Sequence, residues 1–325
     1  MEIRRLGDQG LAVSTLGLGT LTWGGDTDDH EAAELLATYL DAGGNTLDVP
    51  SDWGSPTFAG RVEAVGRTIN DGSHRNQLVI IVHSGNLPEP TGPLNPPPPP
   101  SLGPRCSKRN LLASLDNALH DLRTDHVDLW VIHGPRQGVT IAEIQGAAHF
   151  ALATGRATYV GVAGLDEWDC GTITAGGSAI SGVSALAGAF SLLNAALLTP
   201  IISHGEESGL GFVALSPLAQ GALVGKYRHS TPPDSRAATG HLSSLVSPYL
   251  SERHGRVVEA VYRAARSLDS TPAKVALAWV LDQPGVSTAI VGPRGPRQLD
   301  QLLAGPPVTL QRELRDVLSE VAITD

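Results

Sequence analysis

Hydrophobic residues along this chain fall into short continuous runs that alternate with amphipathic stretches of helical period. The runs are rich in Val, Leu, Ile and Ala, and they lie at 16–20, 45–49, 77–82, 126–133, 157–163, 184–190, 211–216 and 287–292. Continuous apolar runs of this length are typical of strands that are buried on both faces of a parallel sheet. Helical patterns follow near 30–42, 58–70, 107–122, 141–154, 252–268, 271–283, 295–303 and 309–321, and a weaker one, interrupted by glycine, follows 163. Eight strand–helix units in 325 residues predict an α/β protein built as a closed (β/α)8 TIM barrel rather than an open sheet.

Composition narrows the kinds of partner that this barrel could have. Hydrophobic residues make up 41% of the chain and the net charge is −10, with no Lys/Arg run, so we expect neither nucleic acid nor an anionic membrane as a partner. The two cysteines, Cys106 and Cys170, lack the spacing of a metal or disulfide framework, as is usual in a reducing cytoplasm. No apolar run has the length of a signal segment or a membrane span. We therefore expect a single cytoplasmic domain over 1–325, in which the proline run at 93–100 acts as a polyproline II spacer.

Polar side chains stand at the ends of three neighbouring predicted strands. Asp48 follows the second run, His83 follows the third, and His133 ends the fourth. Chemistry in such barrels takes place at the C-terminal ends of the strands, where the loops meet at one mouth. The pattern therefore predicts that these three side chains come together at the barrel mouth.

Several long motifs then identify a family resemblance that runs nearly end to end. They are R-R-L-G-D-Q-G-L-A-V-S-T-L-G-L-G-T (4–20), D-L-R-T-D-H-V-D-L-W-V-I-H (121–133), L-S-P-L-A-Q-G-A-L-V-G-K-Y-R (215–228), V-A-L-A-W-V-L (275–281) and I-V-G-P-R-G-P-R-Q-L (290–299). In this order they resemble the aldo-keto reductase superfamily. The resemblance implies an N-terminal β-hairpin, extra C-terminal helices and the reduction of carbonyl groups with NADPH.

The catalytic tetrad that the resemblance implies is only half present. The family uses an Asp, a Tyr, a Lys and a His, and Asp48 and His133 match the first and the last. Trp53 stands in place of the tyrosine that donates the proton, and His83 in place of the lysine. An indole N–H donates a hydrogen bond but is no practical proton source, whereas a histidine can act as an acid or a base near neutral pH. The chain thus resembles a divergent member with a degenerate tetrad, and Asp48, His83 and His133 are its candidate catalytic residues.

The residues that would hold a nicotinamide ring are also replaced. By resemblance, a Ser-Asn pair, a glutamine and an aromatic ring should contact it. The chain has Ala163 and Gly164, Ala187, and Leu215 at these places. Side chains without polar atoms cannot hold the ring in a reactive geometry through hydrogen bonds.

The residues that resemble the phosphate end of the cofactor site are better kept. They are Ser216, Leu218, Gly221, Arg294 and Gln298, although Leu302 replaces a usual asparagine. Arginine is well suited to phosphate because its planar fork donates two hydrogen bonds at once. NADPH could therefore still bind through this half. At the mouth we expect three tryptophans, Trp23, Trp53 and Trp130, to wall a flat substrate pocket.

Three functions are consistent with these residues. The first is a non-redox acid–base enzyme of specialised metabolism, an isomerase, dehydratase or cyclase, that requires no cofactor and acts on a polycyclic or polyketide-like small molecule. In it His83 moves a proton, Asp48 orients His83, and His133 polarises an oxygen. The second is an NADPH-dependent carbonyl reductase with an altered proton donor, and the third is a ligand-binding pseudoenzyme. Two histidines and a carboxylate could also hold Fe(II) or Zn(II), but the spacing matches no metal motif, so we predict no metal.

Overall fold

The computed structural model describes residues 1–50, 60–85, 105–134, 139–175, 182–228, 230–233, 235–240, 242–305 and 307–324. Its strands are β1 Ile3–Arg5, β2 Ala12–Ser14, β3 Leu16–Gly19, β4 Thr46–Val49, β5 Val79–Gly85, β6 Val127–His133, β7 Ala157–Ala163, β8 Ala185–Ala189, β9 Gly211–Leu215 and β10 Val286–Val291. Its α-helices are α1 Asp29–Asp41, α2 Arg61–Asp71, α3 Lys108–Leu122, α4 Ile141–Ala153, α5 Glu167–Thr174, α6 Ala195–Glu207, α7 Ser243–Val246, α8 Glu252–Ser267, α9 Pro272–Leu281, α10 Pro296–Leu303 and α11 Arg312–Thr324.

Strands β3 to β10 form the predicted closed barrel. They pair in parallel and in chain order, and β10 pairs back with β3 through Ala289 opposite Leu16. The helices between the strands cover the outside. All eight predicted strands are confirmed, because buried apolar runs of this kind pack well only between two covered faces.

Side chains of the strands alternate between the inside of the barrel and the surrounding helices. Ile81, Leu129, Val131 and Val213 belong to a cluster inside the barrel. Their neighbours in sequence, such as Ile80 and Trp130, belong to the larger core between strands and helices. This two-residue period decides which residues can reach the mouth.

An antiparallel hairpin of β1 and β2 closes the end of the barrel opposite the mouth. Ile3 pairs with Ser14, and the fully buried side chain of Leu6 lies in the interior cluster. Gly7 and Gly211 bring the hairpin backbone against β9, where a Cβ on Gly211 would come within 2.6 Å of the Gly7 nitrogen. The hairpin and the helices after β10 confirm what the resemblance implies.

Helix α6 has no counterpart among the helical patterns of the sequence, because Pro200 lies inside it and proline usually ends a helix. The proline run at 93–100 lies outside the described residues. Within the part of the chain that the structure describes, no helix is long and apolar enough to cross a bilayer.

Candidate active site

Asp48, His83 and His133 lie side by side at the mouth, on the adjacent strands β4, β5 and β6. His83 Nε2 is 2.6 Å from Asp48 Oδ1, and His83 Nδ1 is 2.9 Å from His133 Nε2. Both histidines are almost completely buried, and the Asp48 side chain is only 16% exposed. The three residues therefore form one hydrogen-bonded chain with His83 in the middle.

The chemistry of the three groups determines most of the hydrogen positions in this row of hydrogen bonds. An ionised carboxylate only accepts hydrogen bonds, so His83 must carry a hydrogen on Nε2 and donate it to Asp48. The contact between His83 Nδ1 and His133 Nε2 then holds one further proton. When His133 also carries a proton on Nδ1, moving the shared proton across this contact moves a positive charge from one imidazole to the other. The arrangement can therefore store a proton beside the mouth, stabilised by the Asp48 carboxylate.

The same contacts occupy both nitrogens of His83, so a metal ion would have to displace them. Among the described residues, no group of three or more His, Cys, Asp or Glu side chains could hold a metal ion.

Trp130 does not line the substrate pocket, contrary to the expectation from sequence. It is three residues from His133 on the same strand, and its side chain therefore points out of the barrel, away from the mouth. The indole is fully buried in the outer core, and its Nε1 donates to Ser84 Oγ at 3.0 Å. Ser84 Oγ in turn bonds Ser114 Oγ of α3. Trp130 thus ties β5 and β6 to a helix.

The other two tryptophans that were expected to line the pocket are Trp23 and Trp53, and the structure describes only the first. Trp23 is fully buried in the outer core, so it offers no accessible surface to a ligand in this structure. Its Nε1 has no acceptor among the described residues. Trp53 lies outside the described residues, and its role in the pocket stays a prediction.

The side of the mouth next to His133 is apolar. His133 pairs with Ala163, and Ala163 pairs with Ala187 on the next strand. Both alanines and the half-buried Leu215 belong to the interior cluster. The positions that resemble the nicotinamide contacts of the family therefore meet here, and none of these side chains carries a polar atom.

A cleft of about 800 Å³ opens beside this apolar side of the mouth. It continues directly from the barrel interior, because Ser216 in its wall follows Leu215, and Ile290 belongs both to the wall and to the interior cluster. All five residues expected at the phosphate end of a cofactor line it, which are Ser216, Leu218, Gly221, Arg294 and Gln298. The residues lining the cleft do not include Asp48, His83 or His133.

The loop after β9, which forms one wall of the cleft, has a strained backbone. The φ angles of Ser216, Ala219 and Gln220 are 49°, 48° and 55°, in the left-handed region that costs a side-chain-bearing residue about 1–2 kcal/mol. Gln220 Nε2 donates to Ser216 Oγ at 2.7 Å and thereby holds the turn. Strain of this kind collects at ligand sites, where the surrounding structure imposes it.

Four cationic side chains among the described residues line the cleft, and the sequence alone indicated only Arg294. The others are Lys226, Arg236 and Lys274. No Asp or Glu occurs among the described residues of its wall, although the chain as a whole carries a net charge of −10. Lys226 falls inside the motif at 215–228, so the resemblance could have indicated it.

Arg236 connects the two loops that flank the cleft. Its Nη1 donates to Gln220 Oε1 at 2.6 Å after β9, and its Nη2 donates to the Gly292 carbonyl at 2.7 Å after β10. Burial, together with the nearby Arg294, lowers the pKa of Arg236 to about 10, so the group is still protonated at neutral pH. Asp26 acts in the opposite direction and raises the pKa of Arg236. Two guanidinium groups this close favour an anionic ligand.

Two large apolar side chains are exposed on the mouth side and were missed from sequence. Trp168 is 82% exposed in the first turn of α5, and Leu197 is 75% exposed in the first turn of α6. Helices that follow barrel strands begin at the mouth face. Exposed aromatic and apolar surface of this kind is enriched at binding sites.

Comparisons with known proteins identify relatives of this chain. The model of the aldo/keto reductase family matches residues 15–313. A Bacillus subtilis (strain 168) protein named uncharacterized oxidoreductase YrpG is 29% identical over 324 residues, which cover 99% of this chain and 96% of that protein. The L-glyceraldehyde 3-phosphate reductase of Escherichia coli (strain K12) is 26% identical over 93% of this chain and 86% of its own. A probable voltage-gated potassium channel subunit beta of Arabidopsis thaliana is 28% identical over 93% of this chain and 90% of its own.

Proposed function

This chain belongs to the aldo/keto reductase family, and from that premise we propose that it is an NADPH-dependent oxidoreductase that reduces a carbonyl group of an apolar small molecule. The chain of Asp48, His83 and His133 supplies the proton that the family takes from a tyrosine. The observation that carries the proposal is the cleft, because its four cationic side chains and its strained loop fit the phosphate groups of a dinucleotide.

The residues of the cleft fit the phosphate end of a dinucleotide. Arg236, Arg294, Lys226 and Lys274 would neutralise its phosphate groups, and the loop from Ser216 to Gly221 lines the same space. A bound nicotinamide would supply the hydride for the reduction. At its ring end, Ala163, Ala187 and Leu215 offer only apolar contact, so the ring would be positioned by shape alone.

The histidines provide the proton for the carbonyl oxygen. Asp48 accepts from His83 Nε2 and stabilises an imidazolium next to it. A proton on His83 Nδ1 can pass to His133 Nε2 across 2.9 Å as His133 gives the proton on its Nδ1 to the carbonyl oxygen, so that each proton lost from His133 is matched by one gained. A pair of histidines held by a carboxylate thereby serves as a general acid without a phenol.

The substrate class follows from the apolar surfaces around the mouth. Ala163, Ala187 and Leu215 line its interior, and Trp168 and Leu197 stand exposed on the same side of the barrel. These surfaces favour a substrate with a large apolar body, such as a polycyclic or polyketide-like ketone of specialised metabolism. The proposal involves no nucleic acid or membrane partner.

The decisive experiment is NADPH oxidation by the purified protein with a panel of apolar aldehydes and ketones. We expect turnover with wild type and a loss of about 100-fold or more in kcat for Asp48→Asn, because general acid catalysis contributes about that much. Asp116→Asn is the matched control, since Asp116 is a half-exposed partner of Arg156 and does not belong to the site. Equal kcat for Asp48→Asn and wild type would contradict the proposed proton path.

A second candidate is the non-redox acid–base enzyme. The specific observation in its favour is that the ring-end positions are apolar while Trp53 replaces the phenol. It predicts a product at the same oxidation level as the substrate, formed without dinucleotide and lost in His83→Asn.

Restoring the family residues separates the two candidates. The double variant Trp53→Tyr/His83→Lys should keep or increase NADPH-dependent reduction if the protein is a reductase. The other possible result has two parts. The double variant reduces carbonyls, whereas wild type oxidises no NADPH and converts its substrate without dinucleotide. In that case the second candidate replaces the first.

A further inference from the structure

The strands that carry the two histidines of the mouth are joined on their outer side by three side chains. Ser84 follows His83 on β5, and its Oγ accepts a hydrogen bond from Trp130 Nε1 of β6 at 3.0 Å. An indole nitrogen only donates, so the hydroxyl hydrogen of Ser84 is left for Ser114 Oγ of α3, at 3.1 Å. Trp130, Ser84 and Ser114 are called the outer clamp below.

The outer clamp is enclosed in the core between the strands and the helices. Ser84 and Trp130 are fully buried, and Trp130 belongs to the outer hydrophobic cluster. A buried donor that loses its acceptor here cannot turn to bulk water, so breaking either bond is costly. The outer clamp therefore fixes the position of Ser84 relative to β6 and α3.

The residue after Ser84 makes this support necessary. Gly85 has a φ angle of 100°, and a Cβ on it would come within 2.6 Å of the His133 carbonyl oxygen. Glycine thus allows the ends of β5 and β6 to approach closely, but it also restrains the backbone less than any other residue. The side chain of Ser84 supplies the restraint that Gly85 lacks.

The inner side of the same two strands holds a contact that depends on accurate placement. Neighbouring residues of a strand point to opposite faces, so His83 points into the mouth, where its Nδ1 lies 2.9 Å from His133 Nε2. The two rings are 5.1 Å apart between centroids and are tilted by 50°. A shift of β5 against β6 by about 0.5 Å would take the pair out of a productive geometry.

We propose that Ser84 is a positioning residue for the two histidines: through Trp130 and Ser114 it holds β5 against β6, so that His83 and His133 stay within hydrogen-bond distance. Ser84 lies on the outer face of its strand and acts on the chemical step only through His83. The inference rests on the proposed function for its kinetic consequence. Its structural consequence, the contact between two imidazoles, is measured without substrate.

The test combines steady-state kinetics with NMR of protein labelled with nitrogen-15 in its histidines. Wild type should show a downfield, slowly exchanging imidazole N–H resonance from the contact between His83 and His133, assigned by its loss in each of the variants His83→Asn and His133→Asn. Ser84→Ala leaves the Trp130 N–H without an acceptor and should shift or remove this resonance. The same variant should lower kcat by about tenfold and change KM by less than about twofold, because misplacing a catalytic group slows the reaction without removing a substrate contact.

A second buried indole–serine bond provides the matched control. Trp279 is buried and its Nε1 donates to Ser319 Oγ at 2.9 Å, but this pair joins α9 to α11 rather than the strands that carry the histidines. Ser319→Ala should lower the urea midpoint of unfolding to a similar extent as Ser84→Ala, and it should leave both kcat and the resonance unchanged. Ser84→Thr keeps the hydroxyl and should restore both.

The outcomes separate this inference from the proposed function. Absence of the resonance from wild type, or its unchanged persistence in Ser84→Ala, would overturn the inference whatever happens to kcat. An equal loss of kcat in Ser319→Ala would also overturn it, as would a folded Ser84→Thr variant that restores neither quantity. A resonance lost in Ser84→Ala with kcat unchanged would leave the positioning role standing and contradict the proposed proton path.

Discussion

At the scale of single residues, the most informative position is His83. Its two ring nitrogens contact Asp48 and His133, so one imidazole joins the three groups into one hydrogen-bonded chain. The sequence predicted that these three residues meet, because each ends a neighbouring strand. It did not predict that His83 would be enclosed between the other two, since ring orientation depends on side-chain packing.

For one of the tryptophans, the spacing along a strand already indicates which way the side chain points. Trp130 and His133 are separated by an odd number of residues on one strand, so they must face opposite sides. Trp168, by contrast, follows a strand end in a helix with almost no amphipathic pattern, and nothing in the sequence marked it as exposed.

We therefore predict opposite behaviour for these two indoles. Trp130→Phe should lower the free energy of unfolding by about 1–3 kcal/mol, because it removes the bond to Ser84 and leaves a small cavity. Trp168→Ala should change stability by less than about 0.5 kcal/mol but raise KM for apolar carbonyl substrates. Urea unfolding and steady-state kinetics on both variants measure these effects, and a stability loss in Trp168→Ala would show that the indole packs on the protein.

At the scale of elements, helix ends follow local rules that the sequence largely revealed. Ser107, Asp166 and Ser251 cap α3, α5 and α8 through their side chains, and most predicted bounds agree with the structure to within a few residues. Helix α6 escaped detection because Pro200 interrupts its pattern. The loop after β9 was recognised only through resemblance, since its left-handed residues include Ser216 and Ala219, which ordinarily avoid that conformation.

The end of α3 offers a prediction about such backbone conformations. Arg123 is exposed and adopts φ 55° where glycine is preferred, so Arg123→Gly should raise the free energy of unfolding by about 0.5–1 kcal/mol. Gly155, after α4, has φ 71°, and a Cβ added there would meet only open space, so Gly155→Ala should lower the free energy of unfolding by about 1 kcal/mol through backbone strain alone. Thermal unfolding of the pair measures both, and changes of the same sign would contradict the argument.

At the scale of the whole molecule, the eight apolar runs were sufficient to predict the barrel. Continuous apolar runs that alternate with helices predict a parallel sheet, and eight such units in 325 residues favour closure into a barrel over an open sheet. The cationic cleft could not be predicted in the same way. Lys226 and Arg236 lie in the segment after β9, Lys274 lies in the first turn of α9, and Arg294 follows β10. Only the fold brings these segments together.

The hairpin at the closed end should contribute to global stability through Leu6. This side chain is fully buried in the interior cluster, so Leu6→Ala should cost about 2–5 kcal/mol of unfolding free energy. Leu197→Ala is the control, because Leu197 is exposed and its removal should cost less than about 0.5 kcal/mol. Denaturant titrations of both variants decide whether the hairpin belongs to the cooperative unit; a small effect of Leu6→Ala would mean that it does not.

The pairing of β10 with β3 also determines how this protein behaves while it is being synthesised. Strand β3 is the first barrel strand to emerge from the ribosome, but its partner β10 ends at Val291, when most of the 325 residues have been made. Until then β3 and the last strand to emerge each expose an unpaired edge, which other chains can join. Any translation product that stops before Val291 keeps the same open edges. Shortened products of this gene should consequently aggregate or be degraded rather than persist as smaller folded proteins.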